Sequence, residues 1–172
     1  VGADGAALMT GGDIVAGKGG FQKADLMDYG SLYGMGSYYG EDYTASTLVK
    51  LAATTRDNIA ETVDGKPFLA LTPDQQAAVT TSMQHDLQGI DLTKQQIVLP
   101  QPVASAIVSV RNATATGLRT ADPATGWTPA YSLNSQLAQK TADFLIYSAL
   151  TTVARRPGTT SVSYTHLRAH ET

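Results

Sequence analysis

Apolar residues recur at helical spacing through most of the chain, and polar capping signals mark where each run begins. Between Thr44 and Asp64, the residues Leu48, Leu51, Ala52, Ile59, Ala60 and Val63 fall on one stripe, with Thr44 or Ser46 as the cap and Gly65 as the stop. After a connector over Lys66–Leu71, Thr72-Pro73-Asp74-Gln75 has the form of a capping box with proline at the first helical position. The helix it opens runs to about Gln88 and turns Ala77, Ala78, Met83 and Leu87 inward. Pro102 opens a third helix, Val103–Asn112, through Ala104, Ile107, Val108 and Val110. A last helix spans Leu133–Arg156 and is stopped by Pro157-Gly158. Near the start, Ile14, Val15 and Phe21 with Ala16 and Ala24 predict a short helix over Asp13–Lys23. Asp13 is at its N-cap or in its first turn, and Gly17, Gly19 and Gly20 weaken it. Ile90–Leu99 reads as a short extended hairpin or strand, and Ala113–Pro129 as a Thr/Gly/Pro loop carrying Trp127. The pattern as a whole predicts a mainly α single domain with long loops and at most a short hairpin.

One stretch has neither period. Leu26–Thr44 reads LMDYGSLYGMGSYYGEDYT and holds Tyr29, Tyr33, Tyr38, Tyr39 and Tyr43 interleaved with Gly30, Gly34, Gly36 and Gly40. Glycine lets the backbone take φ > 0 or approach a neighbour closely, and tyrosine supplies a flat apolar face with a polar tip. Such a stretch predicts an ordered loop wrapped on a partner surface, and its composition does not name the partner.

Composition narrows the function classes. The chain has 172 residues and a net charge of −3, with no basic run beyond Arg155-Arg156, so nucleic acid is not an expected partner. It has no cysteine, which removes disulfides, thiolate metal sites, cysteine nucleophiles and covalent CxxCH haem attachment. No run reaches the roughly 18 apolar residues of a spanning helix, and no signal-peptide pattern opens the chain.

Two blocks carry a family resemblance. Gly11–Ala45, GGDIVAGKGGFQKADLMDYGSLYGMGSYYGEDYTA, resembles the periplasmic N-terminal region of quinol-dependent nitric oxide reductases. Phe144–Gly158 with its ARRPG, followed by Ser163-Tyr164-Thr165, resembles the same family. The resemblance implies a haem-free cytochrome-c-like domain over residues 1–165, on the periplasmic face of the bacterial inner membrane. It further implies that the chain is a fragment, preceded by one membrane helix and followed by the catalytic ones. The final residues, VSYTHLRAHET, resemble a translated adaptor sequence, so 166–172 are expected to be a non-native tail.

Set against the cytochrome-c subunit of the cytochrome-dependent relatives, Gly34–Thr44 matches the turn that follows CxxCH. Leu26 and Tyr29 then stand where the two cysteines would be, and Gly30 where the axial histidine would be. The resemblance therefore implies vacated haem c positions, with Leu26, Tyr29 and neighbouring rings filling the space, and no cofactor within this fragment. The same alignment implies that Gly36 and Tyr38 supply half of a calcium site, or that Tyr38 packs on the membrane domain instead. The complete enzyme is expected to join two NO into N2O and water with quinol as donor. It would use b-type haem and non-haem iron held by histidines in membrane helices outside this sequence. The expected partners are that membrane-embedded catalytic domain and quinol. The alternative is a free-standing secreted interaction or ligand-binding domain that uses the Gly/Tyr stretch as its contact surface.

The remaining chemistry-bearing residues have ordinary readings. His85 is expected on a polar, solvated face, and Asp25, Asp28, Glu41 and Asp42 on a solvated loop rim. Met27 and Met35 are read as gap fillers. Gly17-Lys18-Gly19-Gly20 lacks the spacing of a phosphate-binding loop. Trp127 and Tyr131 face either a membrane surface or the core, and Arg155 or Arg156 meets either a headgroup or water.

Overall fold

A computed structural model describes residues 1–2, 5–123 and 133–155. Within them six helices and one minimal hairpin form a mainly α domain: α1 (Gly11–Lys23), α2 (Leu26–Tyr29), α3 (Tyr43–Asp64), α4 (Pro73–Gln88), α5 (Gln101–Gly117) and α6 (Ser135–Val153). A 3-10 turn at Phe68–Ala70 leads into α4. The hairpin, β1 (Ser31–Leu32) with β2 (Met35–Gly36), is antiparallel with Ser31 opposite Gly36.

Helix α6 is the centre of the packing. It lies against α1 on one side and α5 and α3 on others, and α4 packs on α3. One core joins Leu51, Val103, Ile107, Val110, Ile146 and Leu150. A second joins Phe21, Leu26, Tyr43, Leu118, Leu133 and Leu145 beneath the Gly/Tyr stretch. A third, at the far end of α3, holds Ile59, Ala60, Leu71 and Val79. Between α5 and α6 the Arg111 guanidinium pairs with Asp143 and also donates to the carbonyl of Leu8, tying the N-terminal segment to both helices. Burial pushes the Asp143 carboxyl upward, and Arg111 opposes that shift.

The α4 capping box forms as expected: the Thr72 hydroxyl accepts from Gln75 N–H, and the Gln75 side chain accepts from Thr72 N–H. Several other expectations are corrected. The cap of α3 is Asp42, whose Oδ1 accepts from Ala45 N–H at 2.9 Å, rather than Thr44 or Ser46. Val63 is 71% exposed, and Thr44, Thr47 and Thr55 take buried places on α3 outside the apolar stripe. On α4, Ala77 and Ala78 face solvent, because the helix meets α3 along Val79, Met83 and Leu87, a four-residue spacing. On α1 Asp13 takes the first-turn place, one of the two expected for it, with Thr10 as the cap, whereas Val15, expected in the apolar set, is exposed.

The expected strand over 90–99 does not form. Asp91 Oδ1 accepts from both the N–H and the hydroxyl of Thr93, closing a turn. Among the described residues, the strand-like pairing nearby is a single parallel bridge between Asp91 and Arg155. Helix α5 continues to Gly117, five residues past the predicted Asn112, because Ala115 and Leu118 join the second core. Helix α6 starts two residues later and ends three residues earlier than predicted, with Asn134 as its cap.

Candidate functional site

The Gly/Tyr stretch is ordered by one side chain. Asp42 Oδ2 accepts from the Ser31 hydroxyl at 2.8 Å and from Gly34 N–H at 2.6 Å, while its Oδ1 caps α3. Burial works against the Asp42 charge, but hydrogen bonds from Ala45, Ser31 and Gly34 outweigh it and hold the carboxyl below its ordinary value. Asp42 is thus a structural clamp rather than a solvated rim residue. Two residues other than glycine adopt the left-handed region here, Asp25 at φ 56°, immediately before the stretch, and Tyr33 at φ 54° within it. Tyr33 is held there from both ends: its N–H donates to the Thr44 hydroxyl at 3.1 Å, and its own hydroxyl lies 2.9 Å from Thr151 Oγ1 on α6.

Between this folded stretch, the first two turns of α3 and the C-terminal end of α5 lies an open cleft of about 850 Å³. Leu26, Leu118 and Leu145 give it an apolar floor, and Tyr29, Tyr39 and Tyr43 contribute aromatic wall. Its polar lining includes threonines of α3 and α5, and the Glu41–Lys50 pair, 3.7 Å apart and about half exposed, lies at the rim. Such an exposed pair adds little stability, and Asp122 adds a second carboxylate to the lining. Tyr43 stands edge-on to Phe21, with ring centroids 5.7 Å apart. Its hydroxyl is buried and has no hydrogen-bond partner. Burial, with Glu41 and Tyr29 nearby, pushes the Tyr43 phenol well above its usual pKa.

Leu26, Tyr29 and Gly30 are adjacent along α2 and its end, and the first two line the cleft. Leu26 is wholly buried in the second core. Gly30 is buried, and a Cβ built there would overlap the Glu41 carbonyl oxygen and stand 2.8 Å from the Tyr43 ring. No side chain fits at Gly30, least of all an imidazole, without moving that backbone. With no cysteine anywhere in the sequence, the residues present do not fit a covalently attached haem.

Gly36 and Tyr38 lie on the outer face of the hairpin, apart from the cleft. Gly36 sits at φ 133°, where a Cβ would meet the Gly30 carbonyl at 2.6 Å. Tyr38 is 88% exposed, and Tyr39 and Met35 stand out beside it, a run of apolar surface not covered by the domain itself. Among the described residues no group of three or more His, Cys, Asp or Glu could hold a metal ion. His85 is solvent-facing, as expected. Trp127, Tyr131 and Arg156, and the expected tail at 166–172, lie outside the described residues.

The α5 side of the cleft, including Thr114, Thr116 and Leu118, falls outside the sequence expectation, which ends that helix at Asn112. The available signal is the apolar spacing Val110, Ala115, Leu118, which continues the stripe through the threonines.

No described helix is long and apolar enough to cross a membrane. No curated protein matches the chain in sequence. A family model for the NorB cytochrome c-like domain of nitric oxide reductase matches residues 1–167, which takes in the clamp, the cleft and all six helices. The chain belongs to that family, the cytochrome c-like domain of NorB-type nitric oxide reductases.

Proposed function

We propose that this domain is the haem-free extracytoplasmic cap of a quinol-fed nitric oxide reductase, which reduces two NO to N2O and water at a membrane-embedded centre. The observation that carries the proposal is the position of Gly30. The place of an axial histidine is taken by a residue with no room for a Cβ, in a chain with no thiol for attachment. A domain of this family built so does not relay electrons through haem c, and a donor that reaches the membrane part directly, such as quinol, suits it. The family match, spanning the whole Gly/Tyr stretch, favours this reading over a free-standing secreted domain.

The exposed Met35, Tyr38 and Tyr39 are the surface we assign to the membrane-embedded domain. Aromatic and methionine side chains standing in water at a loop tip are suited to burial against a partner. The carbonyl of Gly36 and the Tyr38 side chain would also offer oxygens to a calcium ion at that junction. The partner would have to complete the 6–8 ligands such an ion takes.

The test is expression of the longer source chain with the cytochrome c maturation machinery. The expected result is NO consumption with a quinol donor, none with reduced cytochrome c, and no haem staining of the protein after denaturing electrophoresis. Covalent haem on this domain, or turnover with cytochrome c alone, overturns the reading.

A further inference from the structure

The loop between α4 and α5 is fixed at its base and bare at its tip. Ile90 and Leu99 are buried and anchor its two ends in the first core. Between them Thr93, Lys94, Gln95 and Gln96 are exposed, and Val98 is 64% exposed. The first and last described residues are both paired to this loop. Val1 N donates to the Ile97 carbonyl at 2.8 Å, and Leu99 N–H donates to the Val1 carbonyl at 3.0 Å. Arg155 N–H donates to the Ile90 carbonyl, and Leu92 N–H donates to the Arg155 carbonyl, both at 2.9 Å. In each case one residue exchanges bonds with both neighbours of the residue opposite, which is the parallel pattern, and it makes the bridge between Asp91 and Arg155. Parallel pairing fixes direction. Chain arriving at Val1 comes from the side of Gln96, and chain leaving Arg155 heads to the side of Thr93. Both directions point to the exposed tip.

The hairpin stands at the same end of the domain. The Tyr33 hydroxyl donates to the Ser148 carbonyl at 3.3 Å and lies 2.9 Å from Thr151 Oγ1, at the end of α6 that leads into Arg155. Charge separates this end from the other. The far end of α3 and the start of α4 carry Asp57, Glu61, Asp64 and Asp74 against Arg56 and Lys66. The loop presents Lys94 and Arg155 in the open. Its own carboxylate, Asp91, is engaged by Thr93, and Asp86 on the last turn of α4 has 20% of its side chain exposed.

We propose that the tip Thr93–Gln96, with Lys94 and Arg155, rests on the anionic phospholipid headgroups of the membrane, and that the two parallel pairings set the tilt of the domain on that surface. This rests on the reading above, in which the membrane part belongs to the same chain and joins the domain at its two ends. Lysine is depleted where proteins meet proteins, whereas headgroup phosphates attract it. The tip therefore takes the lipid, and the methionine and tyrosines of the hairpin take the catalytic domain.

The test uses the longer source chain in nanodiscs of equal parts phosphatidylglycerol and phosphatidylcholine. The photoreactive residue p-benzoylphenylalanine replaces Gln95, or Leu69 at the far end, which is 85% exposed. After illumination, mass spectrometry identifies what each position has captured. We expect lipid adducts at position 95 and at least tenfold fewer at 69. Adducts at 95 should favour phosphatidylglycerol by about fivefold, the effect of one cation at a charged surface. Lys94→Gln with Arg155→Gln should bring that preference close to parity, since both pairings are made by backbone and survive the change. The proposal is overturned if position 95 captures protein or nothing, if position 69 captures lipid equally well, or if the double substitution keeps the preference. NO consumption with quinol, measured on the same nanodiscs, separates the two readings. Consumption without lipid capture at 95 sinks this inference alone, and lipid capture at 95 without consumption sinks the functional reading alone.

Discussion

Two glycine-rich regions of this molecule look alike in sequence and do opposite things. In α1, Gly17, Gly19 and Gly20 interrupt a helix, and by propensity alone all three weaken it. In the hairpin region, Gly30, Gly34, Gly36 and Gly40 promise backbone freedom by the same reasoning. The structure separates them by what lies above each Cα. On α1, Gly17 and Gly20 are buried against α6, and a Cβ at Gly17 would overlap the Lys140 carbonyl. Gly17 lets the two helix backbones touch and Gly20 leaves room for the Thr141 and Leu137 side chains, while Gly19 faces open space. In the hairpin, Gly30 and Gly36 let the chain fold back on itself within one loop. The first region sets the distance between helices; the second sets the shape of one loop and the cleft beneath it.

That contrast can be broken by substitution. Gly17→Ala should have the largest effect. The obstacle is backbone, which cannot rotate aside, so α1 must lift from α6. A loss of about 3 kcal/mol, at the upper end for overpacking, is expected as a lower urea midpoint for the whole domain. Gly30→Ala should cost about 2 kcal/mol by the same mechanism confined to the loop. Hydrogen exchange should show amides around 30–43 opening while α4 and α5 stay protected.

Asp42→Ala removes the cap of α3 and the clamp on Ser31 and Gly34, and should cost roughly 1–2 kcal/mol. The same carboxylate predicts a pH dependence. Its folded pKa lies below the unfolded value of about 3.9. Its contribution is therefore complete above that value and lost as pH falls through the lower folded one. Asp42→Asn should flatten the acid limb of a stability-versus-pH curve below about pH 4. A limb unchanged from the parent would mean that the clamp adds nothing. The smallest effect has the opposite sign. Gly19→Ala should stabilise by about 0.5–1 kcal/mol, since it gains helix propensity and meets no neighbour. A loss at Gly19 as large as at Gly17 would collapse the distinction between the two regions.

The legible parts of the chain are those governed by local physics. The α4 capping box is a contact among residues three apart, so Thr72 and Gln75 can be paired by reading. The mainly α character follows from helical spacing in the same way. The candidate site is half legible. Leu26, Tyr29 and Gly30 stand out by resemblance and do sit together beside the cleft, whereas Gly36 and Tyr38 belong to the outer face. The α5 wall is hidden because Thr114 and Thr116 carry no apolar signal, and their place follows from packing further along the chain.

The sequence by itself determined that the chain is helical, lacks thiols and has no imidazole at position 30. Those are matters of residue identity and short-range spacing. Only the tertiary structure decided which glycines are contacts and which are free, that Asp42 rather than Thr44 caps α3, and that Tyr43 is buried with its hydroxyl unpaired. Each depends on atoms brought together from distant parts of the chain or across a folded loop. Their cost or benefit is set by distances of a few ångströms that no local pattern encodes.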